Sequence, residues 1–268
     1  MERLKTIIAY HPEDHNRSLE IQVIQRERMS VGMESKERIK GKITSPSGER
    51  QRCVQLIRRN FDDRFPYNTR DNLRIAQQTQ DEWKKYKVAD LPTYDTLRLA
   101  QDGSLLTTDE SAFGARTYGN PDFRYSLKEG KIFRTRKDKI IDEQFIKLAS
   151  EPMDKIRQES DRIVDIASQN RIGLPLNDPL ELIVNPDGKW QIKTLDVAES
   201  HTFDFIENAE RFNKECTEYF MNQLIWIKNE LISYYEMNVF KRYGMYFRYR
   251  LKQLKKKTSY FINYGRWY

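Results

Sequence analysis

The chain has 268 residues and a mass of 32.2 kDa, with 38% hydrophobic and 32% charged residues. No apolar run approaches the roughly 18 residues that a membrane-spanning helix needs, so the sequence excludes such a helix and predicts a globular protein. The formal net charge is +7, but residues 239–268 hold nine basic residues and no acidic ones, which leaves −2 on the remainder. An anionic partner would therefore bind at this C-terminal segment.

Cysteine usage bears on the redox environment. The two cysteines, Cys53 and Cys216, lie far apart in sequence and fit no metal-ligand spacing. The first residues also lack the apolar core of a signal peptide. Together these features predict a reduced, cytoplasmic protein.

The N-terminal part of the chain begins with short strands. Residues 4–10 and 21–24 are apolar strand candidates. Residues 38–44 and 53–58 flank the sequence Ser-Pro-Ser-Gly-Glu at 45–49, and turn residues between two extended runs predict a hairpin.

A helix and a second hairpin follow. Residues 71–87 carry apolar side chains at helical spacing, and Leu91-Pro92 ends that pattern. Residues 93–99 and 105–109 flank an Asp-Gly turn and predict a hairpin. An irregular connection then places a domain boundary near residue 112, between a strand-rich lobe, 1–112, and a helical lobe, 113–268.

The second part of the chain is mainly helical in pattern. Residues 127–134 form a weak strand candidate, whereas 140–149 and 152–169 have helical periodicity. Residues 203–237 predict one or two long helices rich in aromatics. Strands first and helices afterwards indicate an α+β fold with a small antiparallel-sheet lobe and a helical lobe.

A third hairpin carries the acidic residues of interest. Residues 180–184 and 190–197 are apolar runs separated by Asn-Pro-Asp-Gly, a tight-turn sequence. Asp178 and Glu181 lie at the beginning of the first strand, and Asp196 lies at the end of the second. Carboxylates at both strands' open ends suit a site for a divalent cation and phosphates, because hard cations take oxygen ligands.

This hairpin resembles the catalytic hairpin of the protein-kinase-like fold, in which a loop, a strand, a turn and a second strand end in the metal-binding Asp of Asp-Phe-Gly. Glu181 takes the place of the metal-binding Asn, and Asp196 that of the Asp. The sequence also departs from the family: His-Arg-Asp is absent, Leu176 stands where the catalytic Asp belongs, and Val197-Ala198 replaces Phe-Gly.

The resemblance implies roles for further residues and for ATP and Mg²⁺ as cofactors. Asp178 is the nearest candidate for the base that accepts a hydroxyl proton. Arg58, or Lys42 on the preceding strand, would replace the phosphate-clamping Lys, and Glu82 would be its ion-pair partner. Each of these residues has an ordinary alternative: acidic residues cap strand ends, and basic residues cover the exposed face of hairpins.

The C-terminal segment, 239–268, interleaves basic and aromatic residues. Such a segment could bind nucleic-acid phosphates and bases, or an acidic lipid surface. The alternative is an amphipathic helix whose aromatics complete the core, and the helical spacing of Tyr243, Phe247, Leu251 and Leu254 favours it.

Two functions remain open from the sequence. The first is a divergent kinase-like phosphotransferase, or an inactive kinase-like scaffold (a pseudokinase), that binds a nucleotide with Mg²⁺. The second is a nucleic-acid-binding protein that acts through its basic, aromatic C-terminal segment.

Overall fold

The computed structural model describes residues 6–10, 18–28, 35–44, 52–59, 69–93, 96–99, 105–108, 115–130, 132–176, 178–194, 197 and 200–264. These residues form an α+β fold with antiparallel sheets, as the sequence predicted. The strands are β1 (Thr6–Tyr10), β2 (Ser18–Arg28), β3 (Ser35–Thr44), β4 (Arg52–Arg59), β5 (Thr96–Leu99), β6 (Leu105–Thr108), β7 (Arg116–Tyr118), β8 (Ile172–Gly173), β9 (Glu181–Val184), β10 (Trp190–Lys193) and β11 (His201–Thr202). The helices are α1 (Thr69–Val88), α2 (Pro121–Lys128), α3 (Arg136–Leu148), α4 (Asp154–Gln169), α5 (Ile206–Asn213), α6 (Cys216–Glu236) and α7 (Val239–Tyr264).

A six-stranded antiparallel sheet contains β1 to β6 in the order β1-β2-β3-β4-β6-β5. The hairpin predicted from 38–44 and 53–58 is confirmed as the pair β3–β4, and that from 93–99 and 105–109 as β5–β6. Ile7, Ala9, Ile21 and Ile39 form a small buried cluster in this sheet. Although β5 follows β4 in sequence, with α1 between them, the strand that pairs with β4 in the sheet is β6, and β5 forms the edge.

Helix α1 confirms the helix predicted at 71–87. It ends at Val88, and two residues later Asp90 has a φ of 56°, in the left-handed region that short polar residues tolerate. Its last turn and the linker after it bury Tyr86, Ala89 and Leu91 in the same hydrophobic core as the C-terminal helices. The connection between β4 and β5 is therefore tied to the helical part of the molecule.

The largest helix of that core is α6, which packs against α2, α3 and α4. Its sequence is apolar enough to be buried along most of its length, with Phe220, Leu224, Ile227 and Leu231 almost inaccessible to solvent. Helices α3 and α4 confirm the predictions at 140–149 and 152–169. Burial of these four side chains contributes roughly 1.5–3 kcal/mol each, which makes α6 the main support of the fold.

One prediction from the second half of the chain is wrong. The described residues of 127–134 are not a strand: α2 begins at Pro121, a favourable first helical residue, and ends before Gly130, whose φ is +66°. Leu127 lies on the buried face of this helix, four residues after the buried Phe123. The one or two long helices expected over 203–237 are confirmed as α5 and α6. The boundary predicted near residue 112 lies outside the described residues.

Candidate functional site

The hairpin β9–β10 confirms the strand–turn–strand pattern read from the sequence. Gly188 adopts a φ of +84°, and its N–H donates to the carbonyl of Asn185 at 2.9 Å, as a tight turn requires. The antiparallel register places Glu181 directly opposite Lys193 at the open end of the hairpin. The length of the loop between the two strands thus determines that Glu181 and Lys193 lie opposite each other.

Glu181 and Lys193 are a cross-strand pair of opposite charge. Residues directly opposite in an antiparallel pair share a face, with their Cβ atoms roughly 4.5–5.5 Å apart. Lys193 is only 4% exposed, and Glu181 is half-buried. The register therefore places a lysine, and not a second carboxylate, at the position directly opposite Glu181. Across the described residues, no group of three or more His, Cys, Asp and Glu side chains could hold a metal ion.

The loop between β8 and β9 is fixed at its beginning by the buried Asn213 of α5. The amide oxygen of Asn213 accepts from the N–H of Leu174 at 2.9 Å. Its amide nitrogen donates to the carbonyl of Ile172 at 2.8 Å and to the hydroxyl of Ser168 at 3.0 Å. One side chain therefore joins α4, β8, the loop and α5, which fixes the entry to the candidate site.

The same loop is fixed at its end, where Asp178 is held. The Nδ2 atom of Asn120 donates to Asp178 Oδ2 at 2.8 Å. The preceding Gly119 has a φ of +130°, and a Cβ there would lie 2.8 Å from the carbonyl oxygen of Leu180. Asp178, the predicted base, is thus a partly buried residue in a rigid loop, hydrogen-bonded to the segment that leads into α2.

Asp196 lies outside the described residues, but the chain before it is firmly placed. Thr194 donates its N–H to the carbonyl of Pro92 at 2.8 Å and its hydroxyl to the same carbonyl at 3.0 Å. The hydroxyl of Thr93 donates to the carbonyl of Thr194 at 2.9 Å. Thr194, which follows β10 and lies two residues before Asp196, is therefore joined to the linker between α1 and β5.

The chain after Asp196 is joined to α1 itself. The hydroxyl of Ser200 donates to Glu82 Oε2 at 3.0 Å, and Lys85 of the same helix bonds both Glu82 at 2.7 Å and Thr202 at 3.0 Å. Strand β11 then pairs with β8, so His201 and Thr202 return to the beginning of the loop that holds Asp178. Both sides of Asp196 are anchored near the junction of α1 with the helical core.

The two candidate phosphate-clamping residues lie far apart along the sheet. Lys42 on β3 is paired with Cys53, five residues before Arg58 on β4. At about 3.3 Å per residue, this register places Lys42 and Arg58 about 17 Å apart along the strands. Their contact with Glu82 stays a prediction, because neither side chain belongs to the described part, and the described ionic partner of Glu82 is Lys85.

A buried polar network supports the sheet of the candidate site. Asp142 of α3 is inaccessible to solvent and accepts from the hydroxyls of Tyr118 and Tyr235, each at 2.6 Å. It also accepts from Arg134, whose Nε lies 2.8 Å from Oδ2 and whose Nη2 bonds Oδ1. Tyr118 stacks on Phe145 with ring centroids 3.9 Å apart. Because β7 contains Tyr118 and pairs with β9, this network positions the strand that carries Glu181.

The network sets the pKa values of its members. Burial and the adjacent Asp142 raise the pKa of the Tyr118 hydroxyl well above its ordinary value. Burial alone would lower the pKa of Arg134, but Asp142 raises it. Burial alone would raise the pKa of Asp138, but Arg134, the hydrogen bonds from Thr135 and Arg116 lower it. The arginine is thus fully charged and the tyrosine neutral, which is the state of a structural anchor.

Helix α7 confirms the helix expected in the C-terminal segment. Among its described side chains, Phe240, Phe247 and Leu254 are 83%, 63% and 64% exposed. Tyr243 and Tyr246 instead pack on Phe133 of the body, with ring centroids 4.3 Å and 5.9 Å apart. The expectation that the aromatics of this segment complete the core is therefore met only in part among the described side chains. Among the described helices, α7 included, none is long and apolar enough to cross a membrane.

Sequence reasoning missed the residues that position the site. Counting outward from the four-residue turn Asn185–Gly188 would have paired Glu181 with Ile192, whereas the structure pairs it with Lys193 because Lys189 also belongs to the loop. No local signal marks Asn120 or Asn213, whose partners lie 39 to 58 residues away. Arg134 bonds Asp142 only eight residues later, but nothing in the sequence marks the pair as buried. No family model matches the sequence, and no curated protein sequence matches it either.

Proposed function

We propose that the chain is a divergent kinase-like domain that binds a purine nucleotide as an inactive scaffold. The nucleotide would lie in a cleft between the six-stranded sheet and the helical part. Thr107 and Thr108 of β6 and the residues after them, up to 111, would contact the base edge. The segment around Asp196 would lie at the phosphate end.

The observation that carries this proposal is the anchoring of the chain on both sides of Asp196. Thr194 is bonded to the linker 91–93 through three hydrogen bonds, and Ser200 is bonded to Glu82. A strand-end carboxylate held beside the helix between β4 and β5 is the arrangement that the kinase-like resemblance implies.

The order of the surrounding elements supports the same proposal. Strand β4, helix α1 and the hairpin β5–β6 follow one another, and β6 returns beside β4. Strand β8 leads into the loop of Asp178, and its pairing with β11 brings the segments before and after the hairpin to one end. These pairings support a site formed by Asp178, Glu181 and the segment of Asp196.

The form of the function is inferred from the residues at the family's catalytic positions. A phosphotransferase needs a general base, metal-binding carboxylates open to the cation, and a clamping Lys near the phosphates. Leu176 stands where the family has its catalytic Asp, and Lys193 lies directly opposite Glu181 in the strand register. Without a general base in the family's position, nucleotide binding without phosphoryl transfer is the function that this arrangement supports best.

Calorimetric titration with ATP, ADP and GTP, with and without Mg²⁺, tests the proposal. A scaffold should bind ATP with a micromolar or weaker dissociation constant. The affinity should not depend on Mg²⁺ and should not fall in Glu181→Gln or Asp196→Asn. Asp187→Asn is the matched control, because it makes the same chemical change at the exposed turn of the same hairpin.

Two results would contradict this reading in different ways. Binding that requires Mg²⁺ and disappears in Asp196→Asn, together with release of phosphate, would indicate an active phosphotransferase. No heat of binding for any nucleotide up to millimolar concentration would exclude nucleotide binding and leave nucleic-acid binding through residues 239–268 as the remaining alternative.

A further inference from the structure

Helix α7 is a separate helix that touches the body along one face. Asn238 caps it, since its Oδ1 accepts from the N–H of Lys241 at 2.8 Å. Arg242 lies over the rings of Tyr234 and Tyr235, 5.4 Å and 5.7 Å from their centroids. Farther along, the backbone of Met245 passes so close to Gly130 that a Cβ there would lie 2.7 Å from its carbonyl carbon. These contacts fix the orientation of the helix.

The opposite face is an apolar stripe exposed to solvent. At 100° per residue, its members lie within about 100° of one another around the helix axis. The stripe consists of Phe240 (83% exposed), Phe247 (63%), Leu251 (44%) and Leu254 (64%). Tyr243 (54% exposed) lies at its edge and packs on Phe133 of the body, with ring centroids 4.3 Å apart. From Phe240 to Leu254 the stripe extends about 21 Å along the helix axis. Isolated apolar residues on a surface need no explanation, but a continuous row does.

Positive charges border this stripe. Lys241, Arg248, Lys252 and Lys255 are exposed and lie along one border, and Arg250 lies on the other. The segment has no acidic residue to neutralise them. On the first border, Arg248 and Lys252 help to line a groove of about 560 Å³. Lys128 at the end of α2 and the following Glu129 also line the groove, which therefore holds three basic residues and one acidic residue.

We propose that α7 binds the surface of an anionic lipid bilayer, with the apolar stripe in the interface and the bordering cations among the lipid phosphates. A helix with a narrow apolar face, cationic borders and aromatic residues lies in the plane of a membrane surface and does not cross it. The groove beside Arg248 and Lys252 gives one headgroup phosphate a place next to the stripe. This function is independent of nucleotide binding.

The charges and the side-chain types favour this partner over two others. A second copy of the chain would bring two strongly cationic helices together, and their repulsion opposes a dimer through this face. Nucleic acid would match the charge, but Leu251 and Leu254, which form the C-terminal end of the row, cannot stack on bases as the aromatic residues of single-strand binding proteins do. A lipid interface accommodates both the aromatic and the aliphatic members.

Co-sedimentation with vesicles tests the proposal on the full chain. We expect binding to vesicles that contain phosphatidylserine, weaker binding to phosphatidylcholine alone, and weakening by salt. Replacing Phe247 and Leu251 together by Ser should reduce the affinity at least about tenfold. Lys241→Gln and Lys255→Gln should each reduce it about fivefold. The controls are Val88→Ser and Lys155→Gln, which make the same changes at exposed positions of α1 and α4.

A second measurement guards against loss of helicity in the Ser variant. Phe247→Trp should show a blue shift of its added fluorescence when anionic vesicles are mixed in, whereas a solvent-exposed ring would show none. The proposal is overturned by an absence of vesicle binding, or by vesicle binding that the Ser variant retains in full. It is equally overturned if only oligonucleotides bind, or if the stripe mediates a dimer in sedimentation equilibrium.

Discussion

Replacing Arg134 by Met should destabilise the protein more than any exposed ion pair could. Arg134 is buried and provides the cation for Asp142, which is also inaccessible to solvent. Arg134→Met would leave this carboxylate buried with two phenol donors and no positive charge. Removal of one partner from a buried pair costs about 3–5 kcal/mol, so we expect a decrease of that size in the free energy of unfolding.

The matched control is Arg162→Met. Arg162 makes the same two-hydrogen-bond contact with Glu159, at 2.9 Å and 2.7 Å, but on the exposed surface of α4. An exposed pair contributes about 0–1 kcal/mol, so this variant should remain close to the parent protein. Urea unfolding followed by circular dichroism gives both values under the same conditions.

A double variant makes the reasoning sharper. Arg134→Met with Asp142→Leu removes both charges, so no uncompensated carboxylate remains, although the two tyrosine hydroxyls lose an acceptor. The double variant should be more stable than Arg134→Met alone. If Arg134→Met costs less than about 1 kcal/mol, or if the double variant is the less stable of the two, the network does not anchor the fold in the way described.

Three further predictions concern backbone, pH and thiol chemistry. Gly119→Ala should lower the free energy of unfolding by about 1–3 kcal/mol, because Gly119 has a φ of +130° and its added Cβ would approach the Leu180 carbonyl. Gly244→Ala is the control: no atom lies within 4 Å of the added Cβ, so this variant should stabilise α7 by up to about 1 kcal/mol in the same urea experiment. The pKa of Asp138 is lowered in the folded protein, so its carboxylate stabilises the fold at pH values above its unfolded pKa of about 3.9. This stabilisation is lost as the pH falls through the folded pKa. Urea midpoints measured from pH 5 downward should therefore fall less steeply in Asp138→Asn. Burial raises the pKa of Cys216 to about 11, so iodoacetamide at pH 8 should modify it only after unfolding, which mass spectrometry of the native and urea-treated protein can detect.

The elements with strong local signals were predictable from the sequence. The three hairpins have turn residues between apolar runs, and α1, α3 and α4 have helical spacing over at least three turns. Strand β7 could not be predicted, because it has only three residues and exists through its pairing with β9 more than sixty residues later. Residues 127–134 were misread for a related reason, since their apolar residues belong partly to α2 and partly to the segment after it.

The candidate site was predictable only in its sequence positions. The turn and the strand ends located Asp178, Glu181 and the segment of Asp196, but their partners depend on the fold. Asn120 bonds Asp178, which lies 58 residues later in the chain, and Lys193 lies opposite Glu181 only because of the strand register. For α7, helical periodicity identified the apolar stripe correctly, but periodicity does not determine whether a face is covered by protein.

Hydrogen exchange with and without ATP tests the central claim most directly. If the cleft binds a nucleotide, ATP should slow amide exchange in β6, in the linker 91–93 and in residues 194–200, and should leave α7 unchanged. The same slowing should occur without Mg²⁺. Absence of any change in these three segments at millimolar ATP, or a change confined to α7, would contradict the proposed nucleotide site.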